Sequence, residues 1–360
     1  MNQSILWIKG SRGTKYPAAG FLRYPAPLPM PPAPWLDPDR YHGLRATRSF
    51  FEGWYYKLVD PAGRRTLAVI PGVFMSRRGD NRFAFVMTVD GASGQVAMER
   101  YPMEAFSASP RAFSIQIGPN RFSAQGLTLD LAGATPWRGE LVFTDLSPWP
   151  VTLRAPGVMG WYAYVPFMEC FHGVVSMDHR IEGTLDLGRE TIDFTGGRGY
   201  TEKDWGRNFP ASWVWMQGNH FPETGTSVSA SIAIIPFLGT TFGGSIIGLR
   251  HEGRLYRFTT YTGARVRALD IEPGRVRVVA EDRRHRLEIE ALTGPSARLF
   301  APGAEDMIPR VDECLDAPLS VTLSERGGRV VFAGLSPAGA AEVQGDLPRL
   351  QAMLGLGPLA

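Results

Sequence analysis

Residues 199–221 read GYTEKDWGRNFPASWVWMQGNHF, three ionisable residues joined to a run of tryptophans across one proline-containing break. A β-strand sends successive side chains to opposite faces. At that period Tyr200, Glu202 and Asp204 share one face, and Thr201, Lys203 and Trp205 share the other. Beyond the break Trp213, Trp215, Gln217, Asn219 and Phe221 fall together, opposite Val214, Met216, Gly218 and His220. Two such strands would give a pocket with aromatic walls and an acidic floor.

Outward from this stretch, short apolar or aromatic runs alternate with turn residues at 60–63, 90–94, 118–120 and 325–328, the signature of many short strands. Sustained helical periodicity is missing, and only the chain end, around 345–355, leaves room for a helix. An internal repeat organises the strands. EGWYY at 52–56 followed by LAVIP at 67–71 resembles SWVW at 212–215 followed by IAIIP at 232–236. Weaker echoes link 113–119 with 269–274, and 183–187 with 319–323. Self-similarity of this kind implies a duplicated β unit, and closing a sheet is the common way for such a unit to hide its edges. The reading is an all-β chain of two tandem barrels, at 41–208 and 209–345. A proline-rich extended arm over 1–40 precedes them, and a tail over 346–360 with room for a helix follows. The opening stretch then straddles the boundary.

Composition narrows the class. With 360 residues, 44% hydrophobic and 20% charged, the chain is that of a globular protein of about two domains. A net charge of +3 with scattered basic residues gives no nucleic-acid footprint. Cys170 and Cys314 are too far apart for a zinc-type spacing or a disulfide framework. The N-terminus does not read as a secretory signal, and no apolar run reaches the roughly 18 residues of a membrane span. The expectation is a cytoplasmic protein with room for a peripheral membrane contact.

The same segments resemble the tocopherol cyclase family, whose members carry FFEGWY early, then Y-x-E-K-[ND]-W-G followed by FP-x-x-W-x-W-x-Q-x-N. Here these are residues 50–55, 200–206 and 209–219, and the likeness extends from about residue 42 to the closing GLSPAGAAEV at 334–343. The resemblance implies two lipocalin-like (calycin-like) barrels, as in the related carotenoid hydratases, and closure of a chromanol ring on a prenylated benzoquinol. In that reaction a proton adds to the prenyl double bond nearest the ring and the phenol oxygen attacks the resulting tertiary carbon. The chain has Asp204 where plant enzymes often have asparagine, and the expectation from its N-terminal residues is that it carries no plastid transit peptide.

Such chemistry needs a carboxylic acid kept protonated at neutral pH, which an apolar pocket and a second carboxylate supply. Glu202 and Asp204 fit; the plainer reading pairs them with Arg198 and Arg207. Only Lys9, Lys15, Lys57 and Lys203 of the 38 basic residues are lysines, so Lys203 is a candidate for proton transfer, although a salt bridge to a neighbour such as Glu52 is the simpler role. His172 is the candidate base for the phenolic proton. Trp54, Tyr56, Trp205, Trp213 and Trp215 would face a carbocation or simply fill core; Glu169 and Asn219 complete the substrate-binding set, with Gln217 beside Asn219 as a hydrogen-bonding partner for a quinol. Glu169 and His172 match a metal spacing that belongs on a helix, so neither a metal nor a cofactor is expected. The partner is a hydrophobic small molecule. Hydration or cyclisation of another isoprenoid or of a polyketide, or lipid binding without turnover, are the alternatives.

Overall fold

The computed structural model describes residues 36–133, 135–165, 168–237 and 239–357, together with the backbone of two short strands, β1 (Trp7–Lys9) and β2 (Lys15–Pro17). These two pair antiparallel inside a unit of their own, Met1–Pro32. The rest of the expected arm up to residue 35 lies outside the described residues.

The other compact body, Ala33–Ala360, contains two large antiparallel sheets, one for each repeat, called below the first and the second unit. The first is built from β3 (Phe50–Val59), β4 (Thr66–Met75), β5 (Arg82–Asp90), β6 (Gln95–Pro102), β7 (Phe106–Ala108), β8 (Ser114–Ile117), β9 (Asn120–Ser123), β10 (Gly126–Asp130), β11 (Arg138–Thr144), β12 (Cys170–Asp186), β13 (Thr191–Asp193) and β14 (Arg198–Gly206). The second holds β15 (Ser212–Gly218), β16 (Ser227–Phe237), β17 (Thr240–His251), β18 (Arg254–Thr259), β19 (Arg265–Glu272), β20 (Arg275–Glu281), β21 (His285–Leu292), β22 (Ala297–Pro302), β23 (Met307–Glu325) and β24 (Val330–Gly345). A short helix, α1 (Leu347–Met353), is capped by the Asp346 side chain.

Strand order is 6-5-4-3-14-12-11-10-9-8-7 in the first sheet and 18-17-16-15-24-23-21-20-19 in the second. The two orders superimpose as one plan: a four-strand meander, then the unit's last strand beside its first, then the remaining strands in reverse. This is the duplication read from the repeat, in lipocalin-like form, with each hydrogen-bonded path left open at its ends. The residue-level echoes are less regular. β12 and β23, which carry 183–187 and 319–323, occupy equivalent places. The 118–119 and 273–274 turns do not, being one hairpin out of step. Trp54 and Trp213 also differ, because Trp54 points into the first unit and Trp213 points out of the second.

Alternation along the strands makes three apolar layers. Trp54, Tyr56 and Leu58 fill the interior of the first unit with Phe113, Phe122 and Phe143. Val214 and Met216 fill the second with Ile232, Leu249 and Phe258. The opposite faces, Phe51 and Tyr55 of β3, Tyr200 of β14, and Trp213 and Trp215 of β15, meet in a third layer between the sheets. Each such side chain taken out of water contributes about 1.5–3 kcal/mol, so the inter-sheet layer is as much a core as the two interiors. Phe221, expected on the tryptophan face, packs instead on Phe332 in the second interior, because β15 ends at Gly218 and the alternation ends with it.

Gly199 shows how tightly β12 and β14 are fitted. It pairs with His179, and a Cβ at this position would lie 2.1 Å from the His179 Nε2. The imidazole is buried, packed at a tilt against the Phe143 ring, and pushed down to about 3 by that burial, hence neutral. Gly199→Ala is therefore expected to lower stability by about 1–3 kcal/mol, read as a shift of the urea midpoint. An unchanged midpoint would contradict this packing.

Candidate active site between the sheets

β14 and β15 bring the two halves of the opening stretch together. Tyr200, Glu202 and Asp204 project from β14 toward the second sheet, where the outward face of β15 and the residue just beyond it meet β14 and β3. Trp215 donates its indole N–H to Glu202 Oε2 at 3.1 Å, Gln217 Oε1 accepts from Lys57 Nζ at 3.2 Å, and Asn219 Nδ2 donates to the Gly199 carbonyl at 2.7 Å. Trp213 reaches within its own sheet and donates to Glu342 Oε2 at 2.7 Å. The period-two pattern in the sequence thus becomes a row of hydrogen bonds, most of them fastening one sheet to the other.

Where this row begins, the inter-sheet layer opens into a cavity of about 180 Å³. Its walls are mostly aromatic and aliphatic: Tyr55, Tyr162, Phe209, Trp213 and Trp215 with Met159 and Met168. Glu202, Asp204, His172 and Glu342 supply most of its polarity.

His172 lies between two carboxylates, its Nδ1 3.0 Å from Asp204 Oδ1 and its Nε2 3.6 Å from Glu202 Oε2. Register explains the first contact, since His172 and Asp204 are direct partners across β12 and β14. Burial pulls the imidazole pKa down, but the charges of Asp204 and Glu202 outweigh it and hold His172 up at about 9. Glu202 moves the other way from a normal carboxylate. Burial raises it to about 7, against the opposing pull of the His172 charge and with Asp204 adding to the rise. Tyr200 Oη and Trp215 Nε1 both donate to Glu202 Oε2, at 2.5 and 3.1 Å. Among the described residues its Oε1 has no protein partner.

These three side chains offer ligand atoms within 4.8 Å of one another. Glu169, proposed from sequence as the companion of His172, is not in the group and does not line the cavity. The His172 Nδ1 lies within hydrogen-bond distance of Asp204, whereas its buried Nε2, 3.6 Å from Glu202 Oε2, has no hydrogen-bond partner among the described residues.

Several residues chosen from sequence stand elsewhere. Lys203 projects into the first unit, fully buried, where its Nζ pairs with Glu52, donates to the Arg40 carbonyl at 2.6 Å, and lies over the rings of Trp54 and Trp205. The reason is the same alternation that separates it from Glu202. Trp54 is stacked on Phe113 and Tyr56 bonds the Ser123 carbonyl, both within the first unit. Trp205 is stacked on His42 and Phe171. None of the three touches the cavity. Neither Arg198 nor Arg207 pairs with Glu202 or Asp204; Arg198 holds Asp178.

The sequence reading passed over Tyr55, Glu313 and Glu342. Tyr55 could have been found by alternation within FFEGWY, since it lies opposite Trp54. Glu342 is the single carboxylate of the closing GLSPAGAAEV segment, set among small residues.

What fold and site define is a duplicated lipocalin-like β protein with a carboxylate–imidazole set at the base of an aromatic cavity between its sheets. Residues 123–345 match the family described as tocopherol cyclase-like. The chain is 30% identical over 367 residues to a chloroplastic tocopherol cyclase of Zea mays, covering 85% of this chain and 77% of that protein. It is 25% identical over 380 residues to a probable chloroplastic tocopherol cyclase of Oryza sativa subsp. japonica, covering 89% and 80%. The chain belongs to the tocopherol cyclase-like family. A crystal structure of CghA with Sch210972 shares the fold, with a TM-score of 0.53 at 11% identity over 82% of this chain and 89% of that one. Among the described residues no helix is long and apolar enough to cross a membrane.

Proposed function

We propose that this protein is a cyclase that closes a chromanol ring on a prenylated benzoquinol in the cavity between the sheets, with no cofactor. The observation that carries the proposal is Glu202, a carboxyl held near neutrality by burial at the base of an aromatic cavity. Glu202 passes its proton to the prenyl double bond, the C–C π bond breaks, and a tertiary cation forms. The phenol oxygen then attacks this carbon and its proton passes to the Glu202–His172 pair, which is thereby restored, so the product is an isomer of the substrate and no electrons are exchanged. Tyr55, Phe209, Trp213 and Trp215 present ring faces to the cation, each contributing about 0.5–2 kcal/mol. At neutral pH His172 is an imidazolium, so it acts as the proton store that recharges Glu202 and not as the free base expected from sequence. Asp204 fixes the ring.

The test is anaerobic incubation of purified protein with dimethylphytylbenzoquinol, with chromanol as the expected product. Addition of water across the double bond would make the protein a hydratase, and binding without turnover would make it a carrier.

The membrane contact and cytoplasmic placement belong to the same proposal. Residues 151–165 carry exposed Val151, Leu153, Trp161 and Tyr164, while Met159 and Tyr162 of the same segment line the cavity. A lipid substrate would enter past this apolar rim from a membrane surface. Leu153→Ala with Trp161→Ala is expected to weaken co-sedimentation with phosphatidylcholine vesicles by roughly tenfold or more, with turnover of detergent-delivered substrate preserved. Undiminished vesicle binding would remove the rim from the entry route.

A further inference from the structure

The duplication places a second carboxyl where the first unit has Glu202. In the first sheet Glu202 of β14 pairs with Tyr55 of β3; in the second, Glu342 of β24 pairs with Trp215 of β15. The strands occupy equivalent positions in the two orders, and both carboxyls line the same cavity. The aromatic of each pair donates to a carboxyl of the other sheet, Trp215 to Glu202 and Tyr55 to Glu313. Glu313 is the direct partner of Glu342 across β23 and β24, which puts the two side chains on one face of the sheet. Glu313 is fully buried behind Tyr55, and its Oε2 has no partner.

We propose that Glu342, backed by Glu313, binds the hydroxyl of a phenol or hydroquinone ring and so orients the head of the substrate against Glu202. This rests on the cyclase reading for its purpose, but the ligand class follows from the site. Two carboxyls in direct register cannot both ionise cheaply, and a neutral carboxyl both donates to and accepts from a hydroxyl. Burial, with the Glu313 charge next, raises Glu342 well above its ordinary value, and burial raises Glu313 to about 7. The charged or titratable groups facing the pair are Glu202 and Asp204 of β14, His172 of β12, and Tyr55 and Lys57 of β3. Buried Lys57 is itself brought down to about 7.

The test uses trimethylhydroquinone, a ring without a prenyl tail, titrated anaerobically into the full chain by calorimetry. Wild type is expected to bind, Glu342→Leu to weaken binding by roughly tenfold or more, and Glu342→Gln, which keeps a donor and an acceptor, to stay within about threefold. Wild-type affinity should fall as pH rises above about 7 and the pair loses its proton, and the Gln variant should lose that dependence. The proposal is overturned if wild type does not bind the ring, if Glu342→Leu binds it equally well, or if Glu342→Gln loses as much as Glu342→Leu. Should Glu342→Leu fail to fold, the wild-type and Gln pH profiles decide. Ring binding with this pattern but no chromanol from the prenylated quinol would defeat the cyclase reading and leave this one standing.

Discussion

Glu202→Gln is expected to cut chromanol formation by about 10²–10⁴-fold, the usual contribution of a positioned general acid, while leaving affinity for the chromanol product within a few-fold. The amide keeps the shape, and its oxygen still accepts from Trp215, but it has no acidic proton to give an alkene. Rapid-quench single-turnover measurement separates this step from binding, and quenching of Trp213 and Trp215 fluorescence reports occupancy. The wild-type pH profile follows from the sign of the shift. The acid must be protonated, and burial sets Glu202 near 7, so the single-turnover rate should be on its plateau below about pH 7 and fall as pH rises through that value. A rate within threefold of wild type in Glu202→Gln would move the acid elsewhere in the cavity, whatever the family.

Much of this arrangement could be read from period two alone, and its failures have a common physical cause. Trp213, Trp215 and Gln217 share a face because β15 is regular, and Trp215, Gln217 and, just past the strand end, Asn219 each have a partner across the junction. Glu202 and Asp204 share a face for the same reason. Alternation says which residues go together, however, and not which way the set points. On β3 nearly every residue is buried on both sides, so no polar face marks the outside. Trp54 and Tyr56 were chosen where Tyr55 faces the cavity. Glu313 and Glu342 escape for another reason: Glu313 is one of three acidic residues in 312–316 and Glu342 is set among small residues, and only the register of β23 with β24 brings them together. A cavity formed between two sheets is a property of their packing, and neither repeat shows it by itself.

Lys203→Met is expected to destabilise the fold by about 3–5 kcal/mol, because it leaves a buried carboxylate without its cation. Lys203 and Glu52 are both fully buried, and the pair is completed by the His42 backbone N–H, 2.8 Å from Glu52 Oε2, and by the carbonyl of Arg40. Burial works against both charges. For Glu52 the Lys203 charge and the His42 contacts outweigh it and hold the carboxyl below its ordinary 4.5. For Lys203 burial wins, and its pKa lies below the ordinary 10.5. One partner gains and the other loses, as expected where desolvation nearly cancels attraction, so replacing both together should cost much less than replacing one. Urea unfolding of Lys203→Met, Glu52→Gln and the double variant measures that coupling. The lowered Glu52 pKa also fixes the acid side: its stabilisation is present above about pH 4.5 and is lost as pH falls through the folded-state value. Turnover per folded molecule distinguishes this structural role from proton transfer. Lys203 points into the first unit while Glu202 points into the cavity, so the folded fraction of Lys203→Met should cyclise substrate within a few-fold of wild type. A loss as deep as that of Glu202→Gln in fully folded Lys203→Met would return the lysine to the chemistry and require the substrate to reach the other face of β14.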